Sequence, residues 1–134
     1  MVAGDDTPFD MPTARFSFDP GAGALLWAAD AATDATYGQP IDLDSVDVSD
    51  ALRREAQRLI DWFDTSWNVL YPPDPGPWRQ EECARFNSAA RRFLTAMKEE
   101  LGPGWVIIDR FKPLQEDPEL DRYLTDPAGF RRRT

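Results

Sequence analysis

Four prolines and a glycine fall within seven residues, Tyr71-Pro72-Pro73-Asp74-Pro75-Gly76-Pro77. No helix or interior strand crosses such a run, because each proline ring fixes φ and removes an amide donor. Whatever precedes it must stop there, and whatever follows must start afresh, often in reverse. On its N-terminal side Leu52, Ala56, Leu59, Ile60, Phe63, Trp67 and Leu70 recur at steps of three and four. At 100° per residue they fall within about 100° of arc, so the spacing predicts an amphipathic helix running up to the breaker. Ser49 is its natural N-cap, and Asp50 lies where the helix dipole favours negative charge. On the C-terminal side Cys83, Phe86, Ala90, Phe93, Leu94, Met97 and Leu101 form a second stripe. Arg85, Arg91, Arg92, Lys98 and Glu99 lie opposite it, and Gly102 and Pro103 close the segment. This predicts a second helix over 78–101. Two long helices folded back on each other are the frame of the chain.

The shorter elements are read around that frame. Arg15-Phe16-Ser17-Phe18 alternates like a strand, Asp19-Pro20-Gly21-Ala22-Gly23 is turn chemistry, and Leu25-Leu26-Trp27 returns, which predicts a hairpin. Ala28 to Tyr37 reads as a short helix stopped by Gly38, and Gln39 to Val48 as an extended connection. Trp105-Val106-Ile107-Ile108-Asp109 is a strand apolar enough to be expected inside a sheet. The predicted class is α+β: a small, mainly antiparallel sheet, made of the hairpin and a late strand, packed against an antiparallel pair of long helices. One domain is expected over 14–111, with a flexible acidic arm at 1–13 and a polar C-terminal tail at 112–134 that holds a helical turn near 118–124. At 134 residues a second core has no room.

Charge is the unusual part of the composition. The net charge is −9. Residues 1–50 hold ten Asp against the single base Arg15, whereas 51–134 hold fourteen acids and fourteen bases, so the whole imbalance lies in the first fifty residues. Such a field attracts basic partners and repels nucleic acid and anionic lipid. Direct nucleic-acid binding and membrane association are therefore not expected, and Arg131-Arg132-Arg133 is expected to solvate or to dock on the acidic body. No apolar run approaches a membrane span, and the acidic start lacks the layout of a signal peptide, so the expected location is cytoplasmic. The chain has no His and one Cys. That removes imidazole metal sites, imidazole-based triads and an internal disulfide.

Few residues are candidates for a site. Cys83 lies on an apolar stripe with no base to activate it and is read as core. Asp42-Leu-Asp44-Ser-Val-Asp47-Val-Ser-Asp50 puts Val46, Asp47 and Arg53 where a calcium loop needs an acid, a Gly and a Glu, so no metal or other cofactor is expected. If that segment is extended, alternation turns Asp42 and Asp44 outward while Ile41 and Leu43 pack inward. A row of carboxylates of that kind is what a protein needs to occupy a site built for nucleic acid. Phe63, Trp67 and Trp78 are read as core at the aromatic corner. Trp62 falls about 60° off the stripe, and beside Asp61 it suits an interface anchor. No phosphate loop, nucleophile elbow or CxxC motif occurs, and no catalytic residues are expected.

Ala24-Leu25-Leu26-Trp27-Ala28, Asp64-Thr65-Ser66-Trp67-Asn68, the 71–78 run and Leu101-Gly102 resemble segments of small acidic proteins of uncharacterised function from high-GC bacteria. The resemblance spans about 14–111, names no characterised family and carries over no functional residues. The residues favour a non-catalytic acidic module, of the immunity or inhibitor type, that occludes a basic, nuclease-like protein partner. Asp42, Asp44 and Asp47 would steer and contact the partner, and Trp62 would anchor. Two alternatives remain open: a ligand-binding domain or small enzyme with a pocket at the aromatic corner, and an adaptor subunit of a larger assembly. The oligomeric state is not readable from the sequence.

Overall fold

The computed structural model describes residues 11–132; residues 1–10 of the arm expected over 1–13, and Arg133 and Thr134, lie outside them. In chain order the elements are β1 (Thr13–Phe16), β2 (Leu26–Ala28), α1 (Ala31–Tyr37), α2 (Asp50–Phe63), α3 (Gln80–Leu101), β3 (Val106–Asp109) and α4 (Leu120–Thr125). The class is α+β, as the patterning requires, but the sheet is mixed and not mainly antiparallel.

β1 is the centre of a three-stranded sheet of order β2-β1-β3. The 17–25 connection is short enough to turn back, so β1 and β2 pair antiparallel with Arg15 opposite Trp27. β3 reaches the other side of β1 only after the whole helical frame, and it pairs parallel with Arg15 opposite Ile108. The apolar run 105–109, expected inside the sheet, is thus an edge strand, with Val106 and Asp109 exposed. β1 takes the interior because Ala14 and Phe16 are the residues sealed against the helices. The free edge of β2 is covered by a side chain: the Gln39 amide accepts from Ala28 N at 2.7 Å and donates to Ala28 O at 3.1 Å. A covered edge does not recruit foreign strands.

α2 begins where expected, with Ser49 Oγ accepting from Leu52 N at 3.1 Å. Glu100, at the far end of α3, accepts from both Ser49 N (2.6 Å) and Ser49 Oγ (2.9 Å), which fixes the antiparallel register of the pair. α2 stops at Phe63, short of the stripe drawn through Trp67 and Leu70. Thr65 N and Ser66 N close tight turns onto Trp62 O and Phe63 O, so the chain leaves the helix before either residue is reached. α3 is 22 residues long, about 33 Å. Gly102 ends it with φ at 72°, a conformation that costs other residues a clash. Between the helices and the sheet lies an aromatic core. Phe16 stacks on Phe93 with centroids 6.0 Å apart, and Phe86 meets the rings of Phe18, Trp62, Phe63, Trp78 and Phe111.

The segment after β3 is docked on the body. Asn87 bonds Leu114 through both backbone groups (2.8 and 2.9 Å), and Glu116 Oε1 accepts from Gln80 N at 2.9 Å, capping α3 from 36 residues away. Leu120 and Phe130 are buried. Arg132 reaches Asp117 at 2.7 Å, Glu119 at 3.2 Å and the Pro73 carbonyl at 2.7 Å. Arg132 therefore docks on acids of its own segment and does not lie free. Its hydrogen bond holds the Asp117 carboxyl below the ordinary 3.8, against partial burial that pushes the other way. A lowered carboxyl contributes stability above its unfolded pKa and loses it as pH falls through its folded one. The docking should thus loosen only on acidification below about pH 3.8. An NMR titration of the Asp117 carboxyl should show a midpoint under 3.8 that rises in Arg132→Ala; an unchanged midpoint would exclude Arg132 as the cause.

Candidate functional site: an acidic edge and an apolar loop

The connection 39–48 does not run straight. Ile41, Val46 and Val48 are buried, but residues Leu43–Ser45 close into a 3-10 turn. The Asp42 carboxylate builds that turn by accepting from Asp44 N at 2.9 Å, an Asx-type contact that competes with extension. Asp42, Asp44 and Asp47 all face water as expected, yet the evenly spaced strand-like row is replaced by a kinked edge. Arg53 of α2 braces it from behind. Its guanidinium donates to Leu43 O (3.0 Å) and Val46 O (2.9 Å), bonds Asp50 at 2.8 Å and stands 3.6 Å from Asp44. One base among four carboxylates leaves a local excess of negative charge on side chains that are largely in water, Asp44 at 83%.

Trp62 lies at the opposite end of α2 and is half-buried. Its indole N–H donates to Glu82, its ring meets Phe86 edge-on at 5.2 Å and Trp78 at 5.8 Å, and the Arg58 guanidinium lies 5.2 Å over its face. That hydrogen bond, with Arg85 beside it, holds the Glu82 carboxyl below its usual range. The structure therefore does not bring Trp62 together with Asp42, Asp44 and Asp47; its N–H is engaged by Glu82 and its ring is half-buried against Phe86, Trp78 and Arg58. Cys83 is buried, and burial pushes its thiol up, away from the thiolate that nucleophilic chemistry needs.

Beyond Phe63 the loop 64–79 bends over a cavity of about 670 Å³. Phe63, Trp67, Trp78 and Cys83 form its apolar wall, and Leu114 to Pro118 close it from the other side. Trp67 Nε1 has no hydrogen-bond partner there. At the top of the loop Val69, Leu70 and Tyr71 are 68%, 88% and 59% exposed. Sequence reasoning placed Leu70 on the core stripe and missed this tip. The available signal was Ser66 and Asn68, residue types whose side chains compete with helix backbone bonds, six and four residues before Pro72.

The turn 19–23 links the two regions. Gly21 N donates to Asp64 Oδ1 at 3.3 Å at the base of the loop, and Gly23 to Leu25 adjoin Pro40–Asp44 around a second cavity of about 350 Å³. Acidic edge, turn and loop base thus follow one another along α2. Among the described residues no helix is long and apolar enough to cross a membrane.

No curated protein matches this sequence. A family model does match: it is described as Serratia CdiI immunity protein-like and aligns with residues 15–109, from β1 to the last residue of β3. That lies within the 14–111 stretch of the resemblance drawn from the motifs, and it corrects the expectation that no characterised family is involved. With most of its length and its whole sheet-and-helix frame under that match, the chain belongs to the Serratia CdiI immunity protein-like family.

Proposed function

We propose that this chain neutralises a toxin of contact-dependent inhibition by binding it, and that the toxin surface it covers is basic, as in a nuclease. Family membership supports the immunity role, which requires binding and no chemistry of its own. The observation that carries the sign of the partner is the edge Asp42, Asp44 and Asp47, exposed, fixed in shape and braced by the single base Arg53. Carboxylates held in this way attract a basic surface at long range and occupy it on contact, excluding its substrate by bulk and by charge. Trp62 contributes as a half-buried ring packed beside Arg58, away from the acidic edge.

The test uses the full chain as bait in lysate of the native host at low salt. Any protein retained is then expressed in a naive host with and without this chain. A retained protein that arrests growth alone and is harmless in its presence is the expected result, with release at high salt. Retention of nothing toxic, or arrest that this chain does not relieve, would overturn the proposal. A toxin held equally well at high salt would keep the immunity role and remove the electrostatic edge.

A further inference from the structure

We infer that Val69, Leu70 and Tyr71 are the apolar anchor that this chain inserts into a concave, base-rimmed pocket of its toxin. The inference rests on the immunity reading above and names the contact that reading leaves open.

Among the described residues the large hydrophobics left exposed are Val69, Leu70, Tyr71, Val106 and Leu124. Three of these five are consecutive and sit at one loop tip, whereas scattered single ones are ordinary. The tip is also held in shape. Asn68 is buried, its Oδ1 accepts from both Leu70 N (3.0 Å) and Tyr71 N (3.1 Å), and its Nδ2 donates to Pro75 O at 3.2 Å. Asp74 N returns to Tyr71 O at 2.9 Å. Gly76 passes so close to Ser66 that a Cβ there would collide with the Ser66 carbonyl. Arg132 clamps the Pro73 carbonyl from outside. The backbone of the tip is therefore held before any partner arrives, which lowers the ordering cost of seating its apolar side chains in an interface.

The shape and charge of the tip select the occupant. It is convex and three residues wide, so two copies meeting tip to tip fall far short of the roughly 800 Å² per partner of a stable interface. Only a concave surface can cover it. Residues 59–78 contain Asp61, Asp64 and Asp74 and no base. From the C-terminal segment Arg131 and Arg132 border Tyr71 and Asp74 on one side; Arg132 is paired with Asp117 and Glu119. The loop's own charges are thus acidic, and at its base Asp64 holds the turn 19–23, which runs on to the edge of the same sign at Asp42–Asp47. One basic partner can meet both.

The test compares wild type with Leu70→Ser and with the triple variant Val69→Ser/Leu70→Ser/Tyr71→Ser, using the toxin identified by growth rescue. Leu124→Ser, at an exposed leucine away from the loop, is the control. The triple variant should raise Kd at least a hundredfold, chiefly through faster dissociation. Its melting temperature should match wild type, because these side chains are in water in the free protein. Leu124→Ser should bind like wild type. Binding of the triple variant within twofold of wild type would overturn the inference while leaving the immunity reading intact. An equal loss in Leu124→Ser would also overturn it, as would a wild-type homodimer that the triple variant abolishes. Failure of wild type itself to bind or protect would instead remove the reading on which the inference rests.

Discussion

Replacing Phe86 by Ala should cost this protein about 3–5 kcal/mol of stability, the upper range for an aromatic deleted from a core. Phe86 is 0% exposed. Its ring lies 5.1 Å from Phe18, 5.2 Å from Trp62, 5.4 Å from Trp78, 5.9 Å from Phe63 and 6.2 Å from Phe111. Those five rings come from the strand hairpin, the end of α2, the loop before α3 and the segment after β3. The cavity left behind would border four separate parts of the chain, each held by its own backbone, so none can collapse freely into it. Domains of this size have about 5–15 kcal/mol in total, which makes the loss a large fraction of the whole. Urea unfolding followed by tryptophan fluorescence and by far-UV circular dichroism measures it. A loss below about 1 kcal/mol would mean that Phe86 is not the hub its contacts describe.

Reversing Asp42, Asp44 and Asp47 to Lys should slow association with the toxin by an order of magnitude or more at low ionic strength. The substitutions move the edge by six charges while touching no core residue. The effect should shrink as salt rises, since the screening length falls from about 10 Å at 0.1 M to about 3 Å at 1 M. Dissociation should change less, because steering acts before contact. Asp42 also builds the 3-10 turn, so Asp47→Lys alone is the companion variant; the Asp47 carboxylate makes no bond among the described contacts that its loss would break. Stopped-flow mixing across a salt series reads both rates. A triple variant that associates as fast as wild type at low salt would remove these three residues from the interface.

Much of the frame was legible along the chain. The 3.6-residue period, Ser49 and Gly102 mark the two long helices, and the Asp19–Gly23 turn chemistry marks the hairpin, because these signals act within one or two turns of backbone. The reading failed where two local signals disagreed. The apolar period continued by chance through Trp67 and Leu70, while Thr65 and Asn68 bond the backbone outside the helix, and Leu70 ends in water. The candidate site was half legible. The outward Asp42 and Asp44 follow from alternation, but Asp47 is out of phase with them, and the kink at Leu43–Ser45 depends on an Asx contact that alternation does not contain. Trp62 falls off the apolar stripe and is half-buried, yet its engagement by Glu82, Trp78 and Arg58 depends on α3, on the loop before it and on the preceding turn of α2.

The sequence by itself determined where the chain must bend, which faces of its helices are apolar and where the charge accumulates. All three are properties of neighbours within a few residues. Only the tertiary structure decided that β1 and not β3 is the central strand, that Glu116 caps α3, that Arg132 closes on Asp117, and that Leu70 points into water. Each of those outcomes is set by which surfaces meet after the helices pack. Partners that meet there lie tens of residues apart, and no local period records their distance.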